Sequence, residues 1–168
     1  MSELSHEAMA LLLRGTVARI FMGKTAIAYY SKHHGNTKQV LDAIKEYDPE
    51  VVLIDITDRH EVDLTGYDRI GFASGVYYSK FADQVLNFAR VNLPPQKDVF
   101  FIATAGNPME LYFSSIANIV KDKRCRELGR FQCKGFDTFG PFKLVGGIQK
   151  GHPDEKDLQE AVEFYQNL

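Results

Sequence analysis

The chain has 168 residues and a mass of 19.0 kDa, which is the usual size of one domain. Lysines and arginines total 20 against 22 aspartates and glutamates, so the net charge is -2. This near balance argues against a general nucleic-acid binder, which would be strongly basic. No apolar run approaches the roughly 18 residues that span a bilayer, and we therefore expect no membrane association.

The first 22 residues differ from the rest of the chain. Their apolar centre is short and is interrupted by Arg14 and Gly15, and their first charged residues are acidic, which is not typical of a secretory signal. One interpretation is that translation begins at Met22, so that residues 1–22 are an annotation artefact. The other is a short extra helix. Residues 23–168 are predicted to form the domain.

Strand and helix patterns alternate from Lys24 onward. In chain order they predict a strand over 25–30, a helix over 37–47, a strand over 51–56, a strand over 69–74, a helix whose apolar face is Phe81, Val85, Phe88 and Ala89, a strand over 99–103, a helix over 111–128, a strand over 131–136 and a last helix opened by Pro153 and Asp154.

Five strands separated by helices predict an α/β fold, a three-layer αβα sandwich around a five-stranded parallel sheet. The flavodoxin-like strand order 2-1-3-4-5 is the natural order for such a series. The long glycine-rich connection over 137–151 has two interpretations, a functional cover or an ordinary surface loop. Two cysteines, Cys125 and Cys133, are expected to be reduced thiols of a cytoplasmic protein.

Ligands of such sheets bind beyond the carboxyl ends of the strands, at the point where the strand order reverses. One loop at this point follows the first predicted strand and has the sequence Ser31-Lys32-His33-His34-Gly35-Asn36-Thr37. It combines a glycine, two hydroxyls and three basic side chains with the start of a helix. A helix N-terminus has unpaired amides that bind phosphate. The alternative is that Ser31 and Thr37 only form the turn and cap the helix.

Two further loops lie beside this one. The loop after the third strand, Gly75-Val76-Tyr77-Tyr78-Ser79-Lys80, has paired tyrosines that can flank a flat ring. The loop after the fourth strand contains Thr104, Ala105, Gly106 and Asn107, and its small residues expose peptide groups for hydrogen bonding. Together the three loops predict a site for a ligand with a phosphate and a flat polar ring, as in a mononucleotide.

These segments resemble those of the flavodoxin family. Ala26-Ile27-Ala28-Tyr29-Tyr30-Ser31 leading to Gly35-Asn36-Thr37 is similar to its phosphate loop, and the second and third loops, with the strands before them, resemble their counterparts. The resemblance covers residues 24–168 and implies FMN as cofactor, bound by the residues of the three loops. This chain departs from the family pattern in its phosphate loop, which is one residue longer and has histidine in place of a threonine.

The resemblance also implies a function, electron transfer through the one- and two-electron-reduced states of bound FMN. We then expect no catalytic side chain and no metal, because the cofactor carries the chemistry. Expected partners are redox proteins or a small electron acceptor. Two alternatives stay open, an NAD(P)H-dependent FMN quinone reductase and a non-redox binding module. An acidic docking face is weakly supported, because the net charge is only -2.

Overall fold

The computed structural model of the chain describes residues 23–32, 34–138 and 140–168. The predicted extension over residues 1–22 and the predicted site residue His33 lie outside these ranges. The elements in chain order are β1 (Thr25–Tyr30), α1 (Asn36–Tyr47), β2 (Val52–Asp55), β3 (Arg69–Tyr77), β4 (Lys80–Phe81), α2 (Asp83–Asn92), β5 (Asp98–Ala105), a 3-10 helix (Glu110–Phe113), α3 (Ser114–Asp122), β6 (Arg126–Lys134), a second 3-10 helix (Gly140–Val145) and α4 (Glu155–Gln166).

Five strands form the parallel sheet, in the order β2-β1-β3-β5-β6, and the short β4 pairs antiparallel with β3. This is the predicted flavodoxin-like order, since β5 and β6 are the fourth and fifth parallel strands. All six residues of β1 are buried, as expected of a central strand with helices on both faces. The prediction of a three-layer α/β fold is therefore confirmed.

The hydrophobic core has two halves, one on each face of the sheet. On one face, α2 and α3 bury a cluster of phenylalanines that includes Phe72, Phe101 and Phe113. On the other face, α1 and α4 bury a cluster that includes Ile27 and Tyr165. No helix in the described part of the chain combines the length and hydrophobicity needed to cross a bilayer.

The last helix begins where its sequence predicts. Asp154 is the N-cap of α4 and accepts the Asp157 N–H, while the Asp157 carboxylate accepts the Asp154 N–H, so the two form a reciprocal capping box. Such a box satisfies two amides that the first helical turn leaves unpaired. The pattern Pro153-Asp154 was sufficient to locate this start.

The predicted helix over 111–128 is wrong in its second half. Helix α3 ends at Asp122, Arg124 has a left-handed φ of 56°, and the chain then enters β6 at Arg126. Residues 126–128 therefore belong to a strand, and the strand predicted over 131–136 begins five residues earlier and ends at Lys134. Pairing with β5 from Asp98 onward decides this, supported by two hydrogen bonds from Arg126 to the Asp98 carboxylate.

The third parallel strand is longer than predicted. It continues past Ser74 to Tyr77, where Tyr78 and Ser79 form a two-residue turn with φ values of 50° and 63°. The chain returns in β4, so Phe81 belongs to a strand and not to the following helix. Positive φ at both central residues matches the twist of paired strands, and the second predicted loop is therefore a tight β-hairpin.

Candidate functional site

A cavity of about 350 Å³ opens at the carboxyl ends of β1, β3 and β5. This is where the strand order reverses, the usual ligand position in such sheets. Residues from all three predicted loops line it, together with residues that follow β6. The lining consists of Ser31, His34, Asn36, Thr37, Gly75, Val76, Tyr77, Thr104, Ala105, Gly106, Gly135, Phe136, Asp137, Thr138 and Lys143.

The loop after β1 shapes the first wall of the cavity. Gly35 is the N-cap of α1, with a left-handed φ of 68° and no side-chain cap. The Ser31 hydroxyl accepts the Lys38 N–H at 3.2 Å, which holds the loop against the first helical turn. That turn contains no acidic residue. Asn36 and Thr37, the first two residues of α1, line the cavity, so the electropositive end of the helix lies at the cavity wall.

A buried hydroxyl pair ties this helix to the neighbouring strand. The Oγ1 atoms of Thr37 and Thr104 lie 2.8 Å apart, and both residues are buried. Thr37 begins the buried face of α1, and Thr104 lies near the end of β5. Because each hydroxyl satisfies the other, the pair fixes the spacing between two walls of the cavity.

We expect Thr37→Val to destabilise the protein by about 1–3 kcal/mol, because it leaves the Thr104 hydroxyl buried without its partner. The double variant Thr37→Val/Thr104→Val should recover most of that loss, since replacing both partners leaves no unpaired group. Thermal and denaturant unfolding measure the stability of the single and the double variant. The exposed Thr65→Val is the control substitution. A double variant no more stable than Thr37→Val would contradict the pairing.

The hairpin after β3 forms the second wall. Ser74 Oγ accepts the Ala82 N–H at 3.0 Å and donates to the Gly75 carbonyl at 2.5 Å, which anchors the hairpin to α2. The Tyr77 ring lies edge-on to Tyr30 at 6.2 Å. Burial raises the pKa of Tyr77 to about 12, and Tyr30 and Asp137 contribute to the same direction. The Tyr77 hydroxyl therefore stays protonated at neutral pH and can donate a hydrogen bond.

A segment that follows β6 covers the cavity. We call residues 135–138 and 140–148 the cover segment. Asp137 and Ile148 bond to each other through both backbone groups, at 3.0 and 2.8 Å, which closes the segment into a loop. The Gly135 N–H bonds to the Ala105 carbonyl at 3.0 Å. Of the two interpretations of residues 137–151, the contacts favour the cover.

The cover segment is attached to the loop after β1 by side chains. His34 Nε2 lies 2.8 Å from the Thr138 hydroxyl, and the His34 ring packs on Phe136 with centroids 4.4 Å apart. The Asn36 amide donates to the Phe136 carbonyl at 2.8 Å. His34 and Asn36, predicted as ligand contacts, thus also hold the cover in place.

The sequence did not reveal every lining residue. Gly135, Phe136, Asp137, Thr138 and Lys143 were not predicted as site residues, although the length and glycine content of this connection were the available signal. Six predicted residues, among the described ones, are absent from the cavity lining, namely Lys32, Gly35, Tyr78, Ser79, Lys80 and Asn107. Lys80 instead pairs with Asp83 at 2.6 Å.

One further cluster of polar side chains lies at the start of α4. His152, Asp154 and Asp157 offer ligand atoms within 4.8 Å of one another. His152 Nδ1 lies 2.6 Å from the Asp157 carboxylate, and both carboxylates also cap α4. The capping role accounts for this arrangement.

The buried cysteine lies close to these carboxylates. Burial raises the pKa of the Cys133 thiol to about 12, and the negative charges of Asp157, Asp154 and Glu160 act in the same direction. A thiol that stays protonated is a poor nucleophile, so Cys133 is suited to packing and not to covalent chemistry.

We expect iodoacetamide at pH 8 to alkylate Cys133 about a thousandfold more slowly in the folded than in the unfolded protein, because the thiolate is so scarce. Mass spectrometry of the Cys125→Ser variant, which leaves one thiol, measures the rate directly. Half-buried Cys125 in the converse variant Cys133→Ser is the comparison. Equal folded and unfolded rates for Cys133 would contradict its burial.

Comparison with known proteins agrees with this geometry. A family model described as a flavodoxin domain matches residues 26–133. The chain belongs to the flavodoxin family. An uncharacterized protein of Methanocaldococcus jannaschii is 34% identical over 148 residues, which are 86% of this chain and 97% of that protein.

Solved flavodoxin structures share the fold. Oxidised flavodoxin 2 of Bacillus cereus is 20% identical, covers 84% of this chain and 94% of its own, and has a TM-score of 0.62. A flavodoxin variant of Fusobacterium nucleatum bound to flavin mononucleotide is 12% identical, with coverages of 88% and 96% and a TM-score of 0.63. These similarities extend over nearly the whole of each flavodoxin.

Proposed function

We propose that this flavodoxin-family protein binds FMN in the described cavity and acts in electron transfer. The observation that carries the proposal is the convergence of three carboxyl-end loops on one cavity, with the left-handed Gly35 at the start of α1. Family membership supports it, and so does the flavin mononucleotide bound by the Fusobacterium nucleatum structure.

The phosphate end of FMN fits the loop after β1. Amides at the start of a helix together with its dipole bind phosphate without further help. Lys32 and His34 add potential donors in this loop, and no acidic side chain lies in the first turn of α1 to repel an anion. Gly35 has open space around it, because no atom lies within 4 Å of the position its Cβ would occupy.

The ring end fits the remaining walls. Small-molecule sites usually have volumes of about 300–1,000 Å³, and this cavity of about 350 Å³ lies at the lower end of that range. Tyr77 supplies an aromatic surface, while Gly75 and Gly106 let peptide groups approach a ring edge. Phe136 and the rest of the cover segment limit the access of water.

In this proposal the protein binds and tunes the cofactor. When bound, FMN supplies one- and two-electron redox chemistry. The chain contributes the phosphate contacts at α1, the walls that orient the ring, and the protonated Tyr77 hydroxyl. Asp137 and Lys143 place opposite charges in the cavity lining, and these charges influence which protonation and redox states are favoured.

The experiment is reconstitution with FMN followed by anaerobic reduction. We expect the protein to bind one FMN and dithionite to reduce it in two one-electron steps, visible as a long-wavelength absorbance that rises and then falls. NADPH alone should not reduce it rapidly. Rapid NADPH oxidation with no one-electron stage would favour the alternative quinone reductase. Failure to bind FMN would contradict the proposal and leave the non-redox binding module as the remaining alternative.

A further inference from the structure

The loop after β1 departs from the flavodoxin pattern at His34, which stands in place of a threonine directly before Gly35. The His34 side chain contacts the cover segment. Its Nε2 atom lies 2.8 Å from the Thr138 hydroxyl, and its ring centroid lies 4.4 Å from that of Phe136. The substitution therefore replaces a short hydroxyl side chain by one that reaches a residue 104 positions away in the sequence.

Asn36, two residues later, contacts the same segment. Its side-chain amide donates a hydrogen bond to the Phe136 carbonyl at 2.8 Å. The cover backbone also runs directly against this side chain, because a Cβ added to Gly135 would lie 2.8 Å from the Asn36 amide nitrogen. His34 and Asn36 thus hold residues 135–138 from one side, and both lie beside the N-cap of α1.

The outer part of the cover segment has little burial of its own. Residues 141–146 are all exposed, with Leu144 90% and Val145 73% accessible. The Gly147 N–H bonds to the Phe142 carbonyl at 2.8 Å, a contact within the segment itself. Elements with few buried apolar contacts open at a small cost in free energy. Contacts at the base of the segment therefore decide how often the cover opens.

The backbone beside these contacts forms the proposed phosphate end of the site. His34 and Gly35 have successive left-handed φ values of 56° and 68°. Non-glycine residues seldom adopt such a φ, so the His34 backbone keeps it only while surrounding contacts hold it there. The first turn of α1 has no side-chain cap, and an anion bound to its amides would supply the missing hydrogen-bond partners. An anion and the cover segment thus stabilise the same conformation of residues 34–36.

We propose that His34 and Asn36 are positioning residues that couple the phosphate end of the site to the cover segment. This inference rests on the proposed function and adds a regulation of the same site. An anion at the start of α1 fixes the backbone of residues 34–36, which holds the His34 ring and the Asn36 amide against the cover. The coupling is reciprocal, because a closed cover favours the same backbone and so tightens anion binding by the same factor.

Hydrogen exchange tests the coupling in the full chain freed of flavin, with inorganic phosphate as the probe. The Asp137 and Ile148 amides bond to each other's carbonyls and report on the closed cover. We expect saturating phosphate to slow their exchange at least about fivefold, the lower end of the usual coupling between sites. The reference is sodium chloride at equal ionic strength. The Leu93 amide, which bonds to Ala89 at the end of α2, should exchange equally fast in both salts.

Two variants remove the same hydrogen bond from opposite sides. His34→Asn keeps a residue that tolerates a left-handed φ, but its side chain is too short to reach Thr138. Thr138→Val removes the hydroxyl without changing α1. Each should reduce the phosphate effect on cover exchange by at least about twofold, as expected for one hydrogen bond. Their double variant should behave like either single variant, because the same interaction is lost in all three. Combining His34→Asn with Asn36→Ala removes both contacts and should abolish the phosphate effect.

Matched controls make the same substitutions elsewhere. His60→Asn and Thr65→Val change exposed residues that do not line the cavity, and both should retain the full phosphate effect. In the FMN-loaded protein, stopped-flow fluorescence should show FMN dissociating at least about twofold faster in His34→Asn and in Thr138→Val. The rate in their double variant should equal that in either single variant. Thermal unfolding confirms that each variant is folded.

Three results would overturn the coupling. They are cover amides whose exchange phosphate does not slow, single variants whose effects add in the double variant, and controls with effects equal to that of His34→Asn. FMN content is measured separately by absorbance. A protein whose cover closes with phosphate through His34 but which holds no FMN would contradict the proposed function and leave the coupling supported.

Discussion

Replacing Gly35 by valine is expected to weaken FMN binding at least about a hundredfold, which corresponds to about 3 kcal/mol. Gly35 has a φ of 68°, a region that a β-branched residue adopts only with strain. In addition, its side chain would project into the open space at the start of α1, where the proposed phosphate contacts lie. Strain and blocked access to the amides therefore act in the same direction.

Titration of the apoprotein with FMN, followed by flavin fluorescence, measures this effect. Gly151→Val is the matched control, because Gly151 also has a positive φ, 87°, a side chain there also meets no atom within 4 Å, and Gly151 does not line the cavity. Thermal unfolding of both variants separates lost binding from lost stability. Unchanged affinity in the Gly35→Val variant would place the phosphate elsewhere.

Gly147→Val is expected to open the cover segment and to release FMN at least about tenfold faster. Gly147 has a φ of 91°, and a Cβ there would lie 2.5 Å from the Phe136 ring and 3.0 Å from the Asp137 carbonyl. Neither the ring nor the backbone can withdraw without breaking the contacts that hold the cover. The bridge between Asp137 and Ile148 should therefore weaken.

Gly146→Val separates the clash from backbone strain. Gly146 also has a left-handed φ, 78°, but a Cβ there would meet only the flexible Lys150 ammonium at 3.6 Å. Hydrogen exchange of the Asp137 and Ile148 amides reports on the cover, and stopped-flow fluorescence gives the FMN dissociation rate. The exchange rates of these two amides and the FMN dissociation rate should rise much more in Gly147→Val than in Gly146→Val. Equal values in the two variants would show that the contact with Phe136 does not hold the cover.

Much of the fold could be predicted because its signals are local. The buried run of β1, the helical spacing in α1 and the capping residues of α4 each involve neighbours in sequence. The parallel sheet followed from the alternation of strands and helices, since parallel strands require crossover connections, and the order 2-1-3-4-5 was the common one for five strands. The three loops at the carboxyl ends follow from the same topology.

The errors arose where pairing between distant residues overrode local preference. Residues 126–128 continue the helical pattern of α3, yet β5 offers an unpaired edge whose backbone groups they satisfy. The hairpin at Tyr78 and Ser79 likewise depends on two non-glycine residues with positive φ. The identity of these residues does not predict a positive φ, because non-glycine residues seldom adopt one.

The sequence by itself determined the parallel sheet and the loops that lie at one edge, and the strand order agreed with the order that is common for such a series. Only the tertiary structure decided what closes the cavity. Asn36 and Phe136 are 100 positions apart, and His34 and Thr138 are 104 apart. A local pattern records which residues form a helix or strand, because neighbouring residues set backbone preference. It does not record which distant loop packs on which, because that depends on shapes and hydrogen-bonding groups that meet only after the sheet has formed.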